Sequence, residues 1–326
     1  MLHENLIFLL VALIFMGIEL IYFRIADHYN IIDHPNERSS HTIITLRGGG
    51  VIFPLAMVFF FACYQFQYPF FILGLVAIAC ISFLDDAFTL NNSLRLSVHL
   101  LSVGLLFFQW GILVQPWYWL VLVAIIVIGT INAYNFMDGI NGITGLYSAA
   151  IIISLLWVNA RVHFIAAQLL IFSLLALAIF LYFNFRQQAK CFAGDVGSIS
   201  IAFIILFGMG FLILQTRQPI YILFLAVYGV DSVLTILLRI LNSENIFKPH
   251  RSHLYQLLTN ERGFSQRRVA VGYAGLQVGI NALVIWTAQK QPMIQLVSAA
   301  LLLGLLIVAY FLVRMIIFKR VALKKN

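Results

Sequence analysis

The chain has 326 residues, of which 62% are hydrophobic and 10% charged, against roughly 25% charged in soluble domains. A soluble globular core of that composition would have no polar surface left to cover it, so the class is a membrane protein with spans of about 20 apolar residues. The net charge of +8 falls in the connections between those spans, and binding to nucleic acid is not needed to explain it.

In chain order, apolar runs punctuated by polar, Pro or Gly segments predict spans at 5–23, 49–65, 69–84, 95–113, 117–134, 143–159, 163–184, 198–215, 218–241, 269–288 and 293–318. The reading is all-α, a polytopic membrane protein of about 11 transmembrane helices, with 69–84 the shortest. The first run has neither a basic leading segment nor a small-residue cleavage site, so it reads as a retained helix and not a signal peptide. Cys63, Cys80 and Cys191 lack metal-ligand spacing, and they imply neither a disulfide nor a zinc site.

Cytoplasmic connections retain Lys and Arg. Assigning 24–48, 85–94, 135–142, 185–197, 242–268 and 319–326 to one face, with flanking Arg95, Arg239 and Arg314, collects 17 of the 20 basic residues and leaves only Arg161, Arg217 and Lys290 opposite. That places the N-terminus outside and the C-terminus in the cytoplasm. The connections on the basic face are long and hold almost every Asp, His and Asn, so the chemistry is expected there. No repeat or soluble domain interrupts the chain, which reads as one transmembrane domain, 1–326.

Four constellations on that face are candidates for chemistry. At the end of the third span stand Asp85 and Asp86, two like charges at a membrane edge that are costly unless paired, hydrated or metal-bound. Neighbours on a helix point about 100° apart, so the two carboxylates need not share a task. Next, Asn132, Asn135, Asp138 and Asn141 recur every third residue with Gly139, Gly142 and Gly145 offset, a polar stripe able to hydrogen-bond a sugar or a base. Third, Phe192-Ala193-Gly194-Asp195-Val196-Gly197-Ser198 opens the eighth span, where backbone N–H groups and a carboxylate-held cation can meet phosphate oxygens. Last, His250-Arg251-Ser252-His253 follows Pro249 in the longest inner connection, and a guanidinium between two imidazoles suits an anionic phosphate. Taken singly, each has a plain alternative: an acidic helix end, a polar turn, an Asp cap, a solvated loop. Weaker candidates are the first inner loop, from Asp33 through Pro35, Asn36, Arg38 and His41 to Arg47 and Gly48-Gly49-Gly50, and the intramembrane Asp231, for which a structural role is expected.

In this order, from Asp33 to Ser265, the motifs resemble the polyprenyl-phosphate N-acetylhexosamine-1-phosphate transferases (glycosyltransferase family 4, O-antigen-initiating type). The resemblance implies an undecaprenyl phosphate acceptor, a UDP-N-acetyl sugar donor, Mg²⁺ (Mn²⁺ as the alternative ion) and UMP as product. It implies catalytic roles for Asp85 and Asp86, the first handling the acceptor's proton, and a metal-ligand role for Asp195. Phe192 would stack on uracil. Asn132, Asn135, Asp138, Asn141, Asn184, His250, Arg251 and His253 would bind substrate. Thr89 stands where relatives carry Lys or Asp, and Asn141 replaces a carboxylate common in the family.

The implied location is the bacterial inner membrane with a cytoplasmic active site, no nucleic acid partner, and a homodimer left open. Two readings compete. The phospho-N-acetylmuramoyl-pentapeptide transferase of peptidoglycan synthesis shares the motifs. A lipid or solute transporter would instead concentrate polar residues at mid-membrane, often in repeated halves.

Overall fold

A computed structural model describes residues 2–33, 44–88, 90–245 and 250–325. The first inner loop's Pro35, Asn36, Arg38 and His41, together with Thr89 and Pro249, lie outside the described residues. The described residues are 80% helical. Its helices are α1 (Leu2–His28), α2 (Ile52–Cys63), α3 (Pro69–Ala87), α4 (Asn92–Trp110), α5 (Trp117–Met137), α6 (Ile143–Val162), α7 (Ala167–Asn184), α8 (Gly194–Thr216), α9 (Ala226–Leu241), α10 (Leu254–Asn260), α11 (Gln266–Thr287) and α12 (Pro292–Lys325). Two short strands, β1 (Ile32–Asp33) and β2 (Thr45–Leu46), pair antiparallel, with Ile32 opposite Leu46.

Ten helical segments among the described residues are long and apolar enough to cross a membrane. The protein is therefore an all-α polytopic membrane protein. The expected second span is the exception: with its leading 3₁₀ turn it covers only Gly49–Cys63. The 69–84 span, expected to be the shortest, gains a turn and reaches Ala87, because Asp85 and Asp86 are helical. The inner connections are also more ordered than loops. Asn135 belongs to α5, and α10 lies inside 242–268.

α8 is the central helix, with 83% of its apolar window buried, while α12 at the periphery has 11%. Lipid tails are as apolar as Leu, so such helices associate by close packing and hydrogen bonding. α8 meets α2, α3, α5 and α6, and Phe71 of α3 stacks on its Phe207 at 3.9 Å. Non-helical backbone at membrane depth survives only when its polar groups are satisfied internally. The 3₁₀ segment Pro219–Leu225 before α9 meets that condition through Gln277 of α11. Gln277 Nε2 donates to the Leu223 carbonyl at 3.0 Å, and its Oε1 accepts from Val227 N–H at 3.1 Å and Tyr147 O–H at 2.8 Å.

Candidate active site

The motifs converge because the helices alternate in direction, which brings the end of α3, the starts of α4 and α8 and the end of α5 to one end of the bundle. Three glycines set the contact between the first inner loop and α8. Gly48 is left-handed (φ +81°), and Gly50 and Gly197 touch backbone to backbone, leaving no room for a Cβ on either. The loop is then zipped to the Phe192 segment: Phe192 N–H donates to Leu46 O, and Gly49 N–H donates to Phe192 O, both at 2.8 Å. Tyr22 O–H fixes the Arg47 carbonyl at 2.6 Å.

Asp86 faces inward onto the first turn of α8. Its Oδ1 accepts from Asp195 N–H and its Oδ2 from Val196 N–H, each at 3.0 Å. Those amides have no partner within their own helix. Gly194 is left-handed (φ +71°), and a Cβ there would lie 2.6 Å from Asp86 Oδ2. The Asp86 side chain is fully buried and also meets Arg47 Nε at 2.8 Å. Asp85 turns elsewhere: its Oδ1 accepts from Leu90 N–H at 2.8 Å and its Oδ2 pairs with Arg95 at 2.6 Å.

Asp195 joins both halves. Arg47 reaches its Oδ1 at 3.2 Å, Arg95 its Oδ2 at 3.3 Å, and Asn135 Nδ2 donates to Oδ2 at 3.4 Å. Ser198 Oγ in turn donates to Asn135 Oδ1 at 3.1 Å. Three carboxyls thus face two guanidiniums, with Asp85 12% and Asp195 15% exposed at the opening. Asp138, just past α5, lies within electrostatic reach. Burial pushes its carboxyl up to about 7, and Asp195 and Asp86 push the same way. Arg47 was read from the sequence only as part of the weaker first-loop candidate, and Arg95 only as a flanking basic residue.

Other candidates lie outside this cluster. Asn132 is exposed and donates to Ile128 O of its own helix at 2.9 Å. Asn184 and Asn141 staple the turn after α5 to the segment after α7. Asn184 accepts from Gly142 N–H at 2.7 Å and donates to Cys191 O at 2.8 Å, while Asn141 Nδ2 donates to Arg186 O at 2.9 Å.

The histidine motif turns inward. His253 is 1% exposed, 3.4 Å from Asp231, and Tyr255 O–H ties the segment to Phe136 O at 3.0 Å. Burial, then the neighbouring His253 and Arg239, lowers His250 to about 4, so its neutral ring accepts from Ser252 N–H at 3.4 Å. Arg251 lies half-buried between the histidines.

No group of three or more His, Cys, Asp or Glu side chains placed to hold a metal occurs among the described residues. Magnesium is commonly held by one or two carboxylates plus substrate phosphates. The partly exposed Asp195 and Asp85, hard oxygen donors at the opening, fit that manner of binding.

Fold and site together define a multi-pass membrane protein with a carboxylate and guanidinium centre at the ends of its spans. Residues 68–213 match the glycosyl transferase family 4 model. It is 26% identical over 283 residues to an undecaprenyl-phosphate alpha-N-acetylglucosaminyl 1-phosphate transferase of Escherichia coli (strain K12), covering 76% of this chain and 74% of that relative. A probable undecaprenyl-phosphate N-acetylglucosaminyl 1-phosphate transferase of Bacillus subtilis (strain 168) is 28% identical over 81% of this chain and 80% of its own. A phospho-N-acetylmuramoyl-pentapeptide-transferase of Thermotoga petrophila is 26% identical over 73% of this chain and 82% of its own.

Proposed function

We propose that the protein transfers N-acetylhexosamine 1-phosphate from a UDP-N-acetylhexosamine to undecaprenyl phosphate, releasing UMP and starting a lipid-linked surface polysaccharide such as O-antigen. The observation that carries this reading is the shared grip of Arg95 on Asp85 and Asp195 and of Arg47 on Asp86 and Asp195. A guanidinium fork held by carboxylates is pre-set for phosphate oxygens. The arriving diphosphate takes over the guanidiniums and frees Asp85 and Asp195.

In the reaction, an oxygen of the lipid phosphate attacks the sugar-bearing phosphorus of the donor. The new P–O bond forms as the bond from that phosphorus to the oxygen bridging to UMP breaks, and the electron pair leaves with UMP. Arg47 and Arg95 hold the reacting phosphates together against their mutual repulsion, with Asn135 and Ser198 fixing Asp195 beneath them. Asp85 accepts the acceptor's residual proton, and Asp86 keeps the first turn of α8 in place. Mg²⁺ held by Asp195 and Asp85, with Mn²⁺ as a substitute, would neutralise diphosphate charge and stabilise the leaving UMP. The site lies at the membrane edge, so the isoprenoid tail stays in hydrocarbon while its phosphate reaches the polar centre. The charge asymmetry of the connections supports eleven crossings of the bacterial inner membrane, N-terminus outside and site in the cytoplasm.

The test supplies membranes containing the protein with polyprenyl phosphate and a panel of labelled UDP-N-acetyl sugars, including UDP-N-acetylmuramoyl-pentapeptide. Transfer of label from a simple UDP-N-acetylhexosamine into organic solvent, with UMP released, is the expected result. Transfer only from the muramoyl-pentapeptide would move the protein to the peptidoglycan reaction, and no transfer from any donor would remove the enzymatic reading.

A further inference from the structure

Two cavities meet at Arg268, in the first turn of α11. One, of about 780 Å³, is lined in part by Arg186, Arg267 and Arg268, and no carboxylate is among its lining residues. Among the described residues, no ion pair involves Arg267 or Arg268, and both are exposed. The other, of about 460 Å³, lies between α9, α11 and α12, with walls such as Leu276, Leu306 and Val313, and Arg268 is the one cation lining it. At its floor, Asp231 accepts from Tyr273 O–H at 2.7 Å and from Thr235, which also bonds Tyr310. The two cavities therefore form an apolar slot that ends beside a cluster of guanidiniums.

The slot exists because α12 packs mainly on α9, leaving a cleft to α11 that the small Gly272 and Ala309 widen. α11 starts at Gln266, so Arg267 and Arg268 stand where the span meets the polar connections, at the depth of lipid headgroups. We propose that the paired cavities are a binding site for an anionic phospholipid of the surrounding bilayer. Its acyl chain lies between α9, α11 and α12, and its phosphate rests on Arg267 and Arg268 with Arg186. The carboxylate and guanidinium centre is built on α3, α4, α5 and α8, so this site stands apart from it and does not depend on the transferase reading. Basic residues at the headgroup level each favour an anionic lipid by roughly fivefold, so removing two should cost about twentyfold in preference.

The experiment is native mass spectrometry of the delipidated full chain with phosphatidylglycerol, phosphatidylcholine of the same acyl chains, polyprenyl phosphate and inorganic phosphate as separate probes. Phosphatidylglycerol should be retained over phosphatidylcholine by about a hundredfold, and the double variant R267Q/R268Q should cut that preference to about fivefold, the share left to Arg186. Ala309→Phe, which fills the slot and leaves the charges, should lower retention of both. Undiminished phosphatidylglycerol binding in both variants overturns the site. Polyprenyl phosphate binding more strongly than phosphatidylglycerol through the same arginines overturns the assignment to bilayer lipid. Inorganic phosphate displacing phosphatidylglycerol overturns the role of the slot.

Discussion

Two aspartate-centred clusters stand at the same end of the bundle and differ in one respect. Asp231 is sealed: its carboxylate accepts from Leu254 N–H at 2.9 Å, Tyr255 N–H at 3.4 Å and Tyr273 O–H at 2.7 Å, and it is 3% exposed. Asp195 and Asp85 are open, and their partners are the guanidiniums of Arg47 and Arg95, 35% and 26% exposed. Backbone amides and a buried phenol cannot leave their acceptor without unfolding something. A guanidinium on a flexible stem can exchange a carboxylate for a phosphate at little cost. The nature of the partner, more than the presence of a buried carboxyl, separates an aspartate that holds the fold from one that can take part in a reaction. By this criterion Asp86 belongs with Asp231, since each caps a helix start.

The comparison is broken most severely at Asp195. Asp195→Asn should lower turnover by about a thousandfold, the scale of losing a main electrostatic contact in a closed site, while the melting temperature stays near that of the parent. Steady-state rates and thermal unfolding on the same preparation check this, and near-parental turnover would return Asp195 to the structural class. Asp231→Asn should do the reverse. Losing the charge from several buried hydrogen bonds costs about 2 kcal/mol or more, read as a lower melting temperature, with turnover per folded molecule unchanged. A stable Asp231→Asn protein with lost turnover would mean that the sealed cluster takes part in the chemistry.

Much of the architecture was legible because a bilayer imposes a simple code: apolar runs, short breaks and basic connections. Asp85, Asp86, Asn135 and Asp195 were legible as neighbours because polar groups at span ends on one face have little choice of place. The arginines were not, since Arg47 and Arg95 find Asp195 across 148 and 100 residues of chain, and no local spacing encodes such a pairing. The division between Asp85 and Asp86 was equally hidden. A helix turns them apart, but only the position of α8 decides which one meets its N-terminus. Asn141 and Asn184 read as ligand groups because an amide staple between two turns has the same residue types as a binding site. The short second helix follows from Gly48, Gly49 and Gly50, which hold the chain against α8 before it can enter the membrane.

The central claim is that the adjacent carboxyls divide into one that reacts and one that positions. Turnover and thermal unfolding measured together on Asp85→Asn and Asp86→Asn test it most directly. Asp85→Asn should melt with the parent and lose about a hundredfold in turnover, the scale of a removed proton acceptor. Asp86→Asn should melt at a lower temperature, because the first turn of α8 loses its charged cap. An Asp85→Asn protein at parental turnover, or an Asp86→Asn protein with parental melting, would contradict the account.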